Sequence, residues 1–338
     1  MTEIRMELGD RSYNITVGSG LLKRAGDFFS LKRRVLVLTD SGVPIEYATT
    51  VAAQCGEAMV MTVDAGEGSK SLATLETVCE KMLRAGLGRS DCLVAVGGGV
   101  VGDLGGFAAS VYMRGIDFYN VPTTLLSQVD SSIGGKTAVN LSGVKNAVGA
   151  FHQPRGVLID TDVLATLPKR HIASGLSEAL KMAITFDASL FSLIEDAPLE
   201  ENLERIITGA LMIKKRVVEA DERESGLRRV LNFGHTLGHG IEASTGIGGL
   251  YHGECVALGM IPMCAPALRD RVVTVLNKIG IDTSYEYDTD GAIAFASHDK
   301  KCLSDGIEVI LSDEVGTYKT RKMTLSEYRD YIKRELSH

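Results

Sequence analysis

Apolar and polar positions alternate with period two over residues 3–17, where Ile4, Met6 and Leu8 are followed, across Gly9-Asp10, by Tyr13, Ile15 and Val17. That alternation predicts a β-hairpin. Short continuous apolar runs recur at 34–39, 59–63, 92–96 and 116–121, separated by stretches of helical period at 20–29, 47–55, 71–86 and 103–112. Buried strands alternating with helices imply a parallel sheet covered on both faces, an α/β domain. Beyond about residue 168 the period becomes 3.6, at 169–195, 199–222, 229–245, 253–269, 290–302 and 324–336, which predicts an all-α second domain. The α/β domain is placed at 1–157 and the helical domain at 158–338, joined near 152–162. Between Pro122 and Pro154 the chain is rich in Gly, Ser and Asn, and it reads as a long functional loop.

Composition narrows the class. With 45% hydrophobic and 23% charged residues over 338 positions, the chain is ordinary globular protein and long enough for two cores. It contains no run of eighteen apolar residues, and the acidic, alternating start MTEIRMELGD is unlike a signal peptide, so a cytoplasmic protein is expected. Six cysteines show no C-x-x-C spacing, which argues against a thiolate metal site; Cys92 and Cys255 read as small core residues. The net charge of −7 without a basic stripe argues against nucleic acid. A small anionic ligand would therefore need a local cluster of cations inside an acidic body.

Four features carry chemistry. V-G-G-G-V-V-G-D at 96–103 follows a strand and opens a helix; Gly97, Gly99 and Gly102 match G-x-G-x-x-G. Such a loop lets backbone N–H groups approach a pyrophosphate, but by itself it is equally a tight turn. Gly134-Gly135-Lys136-Thr137 imitates a phosphate loop, yet Asp130 holds the position of its upstream glycine, so that reading is rejected. The second feature is a polar stripe, Arg228, Asn232, His235, His239 and Glu242, which steps by four and three along one helix face. Gly234, Gly238 and Gly240 make this a poor helix, so something must pack close to its backbone. Two histidines at i, i+4 favour a metal or catalytic site over a solvated face, and the spacing pairs His235 with His239.

Third, Glu178 lies in an apolar setting three residues before Lys181, and His252 opens an almost wholly apolar helix. Taken singly, these are a salt bridge and a helix cap. Glutamate with two histidines, however, suits a catalytic divalent ion with an open position. Fourth, Lys214 shares a helix face with Ile207, Ala210 and Val217, while Lys136, Lys145 and Arg114 surround the glycine-rich segment. A buried lysine needs an anion, although a single lysine can also snorkel. Together these are the cations an acidic protein would need.

Taken together, GGGVVGDLGGFAASVYMRG (97–115), VPTTLLSQVDSSIGGKTAVN (121–140), VKNAVGAFHQP (144–154), SGLSEALKMAI (174–184), DERESGLRRVLNFGHTLGHGIEA (221–243) and YHGECVALGM (251–260) resemble the 3-dehydroquinate synthases of the sugar phosphate cyclase superfamily. The likeness runs from about residue 40 to 301. It implies a Rossmann-like NAD-binding domain, a helical metal-binding domain and an active site in the cleft between them. It also implies a homodimer that closes a seven-carbon sugar-acid phosphate into a carbocycle with loss of phosphate, in the shikimate pathway of aromatic amino acid biosynthesis.

By the same resemblance, Glu178, His235 and His252 ligate zinc or cobalt, which departs from the spacing argument, and His239 faces the substrate. NAD contacts carry over to Asp40, Glu67, Lys70, Gly98, Gly99, Val100, Val101, Gly102, Asp103, Thr123, Thr124, Lys136, Lys145 and Thr166. Substrate contacts carry over to Asp130, Lys136, Asn146, Lys181, Lys214, Arg228, Asn232 and His239. Arg114 is expected to reach a neighbouring subunit's site, and Lys300 or Lys301 to close over the substrate. The alternatives are a sibling cyclase acting on a substrate without the carboxylate, a metal-dependent polyol dehydrogenase, and an inactive nucleotide- and metal-binding regulator. Lys214 and Arg228 favour the carboxylate-bearing substrate.

Overall fold

The computed structural model describes residues 1–246, 249–296 and 306–336, in two compact units, Met1–Leu167 and Pro168–His338. The first unit opens with the expected hairpin, β1 (Thr2–Met6) and β2 (Tyr13–Gly18), paired antiparallel. It continues through α1 (Ala25–Phe28), β3 (Arg34–Asp40), α2 (Ile45–Ala52), β4 (Glu57–Val63), α3 (Leu72–Arg84), β5 (Cys92–Gly97), α4 (Gly99–Val111) and β6 (Asp117–Pro122). β7 (Lys136–Leu141) and β8 (Val144–Phe151) form a separate antiparallel hairpin, and β9 (Gly156–Asp160) returns to the main sheet.

That sheet has the order β1-β2-β9-β6-β5-β3-β4, parallel from β2 onward. Its central strands are apolar on both faces because both are covered. Val35, Val37, Val94 and Val96 pack with Ala48, Val51 and Phe29, whereas Leu36, Leu38, Leu93 and Ala95 pack with Leu75, Val78, Leu104 and Ala108. The alternation along β3 and β5 thus sends successive side chains into two different cores.

Two expectations need correction here. The break between units falls after Leu167 rather than after residue 157, because residues 156–160 are a buried strand hydrogen-bonded between β2 and β6. The segment from Pro122 to Pro154 is no open loop: it holds a π-helical turn, Ser127–Ser131, and the β7–β8 hairpin.

The second unit is helical as expected: α5 (Lys169–Phe186), α6 (Ala188–Asp196), α7 (Leu199–Ala220), α8 (His235–Thr245), α9 (His252–Met260), α10 (Pro266–Lys278), α11 (Thr289–Ala296) and α12 (Leu325–Leu336). It adds a two-stranded antiparallel hairpin, β10 (Ile307–Leu311) with β11 (Lys319–Met323), so it is not purely α. α5 is buried without interruption from Ala173 to Thr185, as befits a helix packed on all sides. Among the described residues no helix is long and apolar enough to cross a membrane.

Candidate active site

In the first unit the candidate nucleotide residues gather at the carboxyl ends of adjacent parallel strands, the edge where open α/β sheets bind ligands. Asp40 ends β3, Gly98 and Gly99 follow β5, and Thr123 and Thr124 follow β6. Thr166 ends a 3-10 turn after β9, with its hydroxyl 3.0 Å from that of Tyr47. Gly97, Gly98, Gly99 and Gly102 all have ordinary negative φ, so no left-handed turn explains them. Close approach explains Gly98, where a Cβ would lie 3.0 Å from Thr124 Cγ2. Val100, Val101 and Asp103 lie in the first turns of α4.

The buried Lys70 ammonium donates to Asp103 and lies 3.7 Å from Glu67 Oε1, which also accepts from Asn140 Nδ2 at 2.9 Å. Asn140 carried no signal in the sequence; its side-chain Oδ1 accepts the backbone N–H of Asn146 at 2.9 Å, and Asn146 has φ 54°. Asp130 lies in the π-helical turn, while Lys136 and Lys145 are exposed on the β7–β8 hairpin. Arg114 is exposed just after α4 with φ 68°.

The second unit assembles the candidate metal residues from three helices: Glu178 from α5, His235 from α8 and His252 from α9. Glycines set their separations. A Cβ on Gly253 would fall 2.1 Å from Ser174 O, and one on Gly238 would fall 2.9 Å from Cys255 O. The backbone of α9 therefore touches both α5 and α8, the close packing that the glycines of the polar stripe predicted. The stripe itself is broken. Arg228 and Asn232 lie in a 3-10 turn, Leu227–Asn232, and the chain turns at Gly234 (φ 76°) before α8 carries His235, His239 and Glu242.

Glu178 is 1% exposed; its Oε2 accepts from Lys181 Nζ, whereas Oε1 is buried with no hydrogen-bond partner. That orphaned oxygen lies 3.9 Å from His235 Nε2 and 3.7 Å from His252 Nε2. The far ring nitrogens are both committed as donors, since their partners can only accept. His235 Nδ1 donates to Phe233 O at 3.2 Å, and His252 Nδ1 to Glu242 Oε2 at 3.1 Å. Both Nε2 lone pairs are thus left for a cation. Around a tetrahedral ion with bonds near 2.1 Å, ligand atoms stand about 3.4 Å apart, so both distances from Glu178 need only slight contraction.

The ligating nitrogens of His235, His239 and His252 also lie within 4.8 Å of one another. Three neutral imidazoles bring no charge, however, and His239 is exposed, whereas Glu178 supplies a buried anion that lacks one partner. The residues present fit a divalent ion on Glu178, His235 and His252. Burial, together with Lys181, pushes the His235 pKa well below its ordinary value, which keeps the ring neutral. At His252 burial acts in the same direction, but the carboxylates of Glu242 and Glu178 raise its pKa overall.

The same unit buries Lys181, Lys214 and Arg228 at 2%, 5% and 3% exposure. They sit on α5, α7 and the 3-10 turn, three elements in mutual contact. Lys214 points inward as expected. Arg228 Nη1 donates to Glu222 O at 2.6 Å, and Asn232 Nδ2 donates to Glu224 Oε1 at 2.9 Å. Lys300 and Lys301 lie outside the described residues. Cys92 and Cys255 are fully buried, as small core residues should be.

The chain is similar to known proteins over nearly its whole length. Two family models match, described as 3-dehydroquinate synthase N-terminal over residues 60–174 and 3-dehydroquinate synthase C-terminal over 175–302. A 3-dehydroquinate synthase from Streptococcus sanguinis is 39% identical, across 98% of this chain and 100% of that protein. One from Streptococcus pneumoniae is also 39% identical, across 98% and 99%. Among solved structures, 2-deoxy-scyllo-inosose synthase complexed with carbaglucose-6-phosphate, NAD+ and Co2+ superposes with TM-score 0.89 at 27% identity, over 98% of this chain and 100% of that one. The 2-epi-5-epi-valiolone synthase of Streptomyces hygroscopicus, with NAD+ and Zn2+ bound, gives 0.87 at 28% identity, over 100% and 99%. A glycerol dehydrogenase from Schizosaccharomyces pombe, 18% identical with TM-score 0.67 over 96% of this chain and 88% of that one, shares the fold.

Proposed function

The chain belongs to the 3-dehydroquinate synthase family, and from that premise we propose that it converts 3-deoxy-D-arabino-heptulosonate 7-phosphate to 3-dehydroquinate and phosphate, as a phosphate-eliminating lyase. The observation that carries this reading is the presence of three buried cations, Lys181, Lys214 and Arg228, in the unit that holds the Glu178, His235 and His252 trio. A polyol dehydrogenase needs the trio but has no use for buried cations that bind anions.

In this reading Glu178, His235 and His252 hold a zinc or cobalt ion, and Asp40, Glu67, Lys70, the loop Gly98–Asp103, Thr123, Thr124, Lys136, Lys145 and Thr166 hold NAD. The bound metal would polarise a substrate hydroxyl, and NAD would accept a hydride and return it, so that no net redox results. The remaining work falls to the chain. Lys214 and Arg228 bind the substrate carboxylate; a guanidinium suits that role because its planar fork matches a carboxylate. Lys181 neutralises one oxygen of Glu178 and leaves the other for the metal. Asp130, Lys136, Asn146, Asn232 and His239 contact the rest of the substrate, with His239, exposed on α8, facing its phosphate. The reading includes a cytoplasmic homodimer in which Arg114 reaches the neighbouring site.

The test is phosphate release from the seven-carbon substrate with NAD supplied far below substrate. Many turnovers without a steady rise in NADH absorbance are expected. Stoichiometric NADH would move the protein to the polyol dehydrogenases, and preference for a substrate lacking the carboxylate would make it a sibling cyclase.

A further inference from the structure

Of the groups that α8 presents to the candidate metal centre, His235 and Glu242 do different things. His235 offers its Nε2 directly, 3.9 Å from Glu178 Oε1. Glu242, two helical turns further on, offers a carboxylate to a histidine of another helix, accepting from His252 Nδ1 at 3.1 Å. We infer that Glu242 is the positioning residue of this centre: it fixes His252 in the tautomer and ring orientation that aims Nε2 at the ion. The inference rests on the metal-centre reading above.

The argument is one of alternatives open to His252. Its ring sits at the first residue of α9 and is partly exposed, with a side-chain accessibility of 32% against 13% for His235. Packing alone therefore constrains it less. Without an acceptor at Nδ1, the neutral ring can place its proton on Nε2, and a small shift of the ring from its present 3.7 Å would let it donate to Glu178 Oε1. That contact would satisfy the orphaned carboxylate oxygen with a proton instead of a cation. A carboxylate at Nδ1 removes this competing state and raises the basicity of Nε2. His235 needs no such partner from a side chain, because the carbonyl of Phe233 already accepts its Nδ1 proton. The centre thus uses a backbone acceptor for the more buried histidine, His235, and a carboxylate for the less buried one, His252. Glu242 itself is too far along the chain from His252 for the pairing to be local; the close contact of α8 with α9 at Gly238 makes it possible.

The experiment titrates cobalt(II) into metal-free wild-type, Glu242→Ala and Glu242→Gln proteins against a competing chelator, and follows both affinity and the visible absorption of the bound cobalt. Loss of an outer carboxylate of this kind weakens metal binding about 10–100-fold, and that loss is expected for Glu242→Ala with an altered cobalt spectrum. Glu242→Gln, whose amide oxygen still accepts from Nδ1, should fall between it and wild type. Thermal unfolding of the metal-free proteins should be nearly the same for all three. Wild-type affinity in Glu242→Ala overturns the inference while leaving the metal-centre reading standing. Equal losses in both variants, with a destabilised metal-free protein, also overturn it and make Glu242 a structural residue. Failure of wild type to bind cobalt overturns both readings.

Discussion

The carboxylate of Asp221 accepts the backbone N–H of Arg228 at 3.0 Å, and with it those of Ser225 at 2.9 Å and Gly226 at 2.7 Å. One side chain thereby folds the 221–228 turn back on itself and sets the direction in which Arg228 leaves the backbone. Partial burial disfavours the charged carboxylate, but the hydrogen bonds from Ser225, Gly226 and Arg228 outweigh it and lower the Asp221 pKa to about 2.

A depressed carboxylate pKa contributes stability above its unfolded value, and the contribution is lost as pH falls through the folded value. For Asp221 the window runs from about 4 down to about 2. Asp221→Asn should therefore melt lower than wild type at neutral pH. The gap between the two melting temperatures should close across that acid window. A gap that persists unchanged down to pH ~2 would mean that the charge of Asp221 does not stabilise the turn.

Metal removal separates the three histidines. A chelator should abolish activity, and zinc or cobalt should restore it. His235→Ala and His252→Ala should lose most bound metal by elemental analysis. His239→Ala should keep the metal but turn over slowly. Loss of the metal from His239→Ala would show that the three histidines, not Glu178, make up the ligand set.

Arg228→Ala addresses substrate choice. Removing one member of a desolvated charge pair typically costs ~2–5 kcal/mol, roughly tens to thousands-fold. A fall of that size in kcat/KM is expected for the carboxylate-bearing substrate, with NAD and metal affinities nearly unchanged. An analogue without the carboxylate should be almost indifferent. Equal losses on both compounds would assign Arg228 to the fold.

Gly253→Ala tests how the helices bring the ligands together. Its new methyl would fall 2.1 Å from Ser174 O, a backbone atom that cannot rotate aside. Overpacking of this kind costs about 1–3 kcal/mol, and forcing α9 away from α5 should also part His252 from Glu178. Denaturant unfolding and cobalt affinity should both weaken. A variant with wild-type values for both would mean that the helix contact is soft.

Much of this protein is determined locally. The period-two stretch at 3–17 states its hairpin directly, and so do the apolar runs that became β3, β5 and β6, because these three strands are buried on both faces; the run at 59–63 also became a strand, but β4 is the largely unburied edge of the sheet. The inward direction of Lys214 follows from its apolar companions at helical spacing, and Glu178 with Lys181 lies one turn apart on α5. Even the cost of Gly238 and Gly240 in a helix announces close packing before the packing partner is known.

Spacing, however, reports only on neighbours within one element. It set His235 beside His239, where the structure also has them, but it could not bring residue 252 to residue 178, since that meeting is set by the α5–α9 contact at Gly253. It ran Arg228 and His235 along one helix, because a polar stripe in register survives a break at Gly234 that only the backbone reveals. It also missed β11, whose exposed Lys319, Thr320, Arg321 and Lys322 carry no apolar alternation, since one strand partner rather than a core holds them. Helical period and strand alternation are properties of a single segment facing a core. The site is a property of several segments facing each other, and their separations are decided by which backbones can touch.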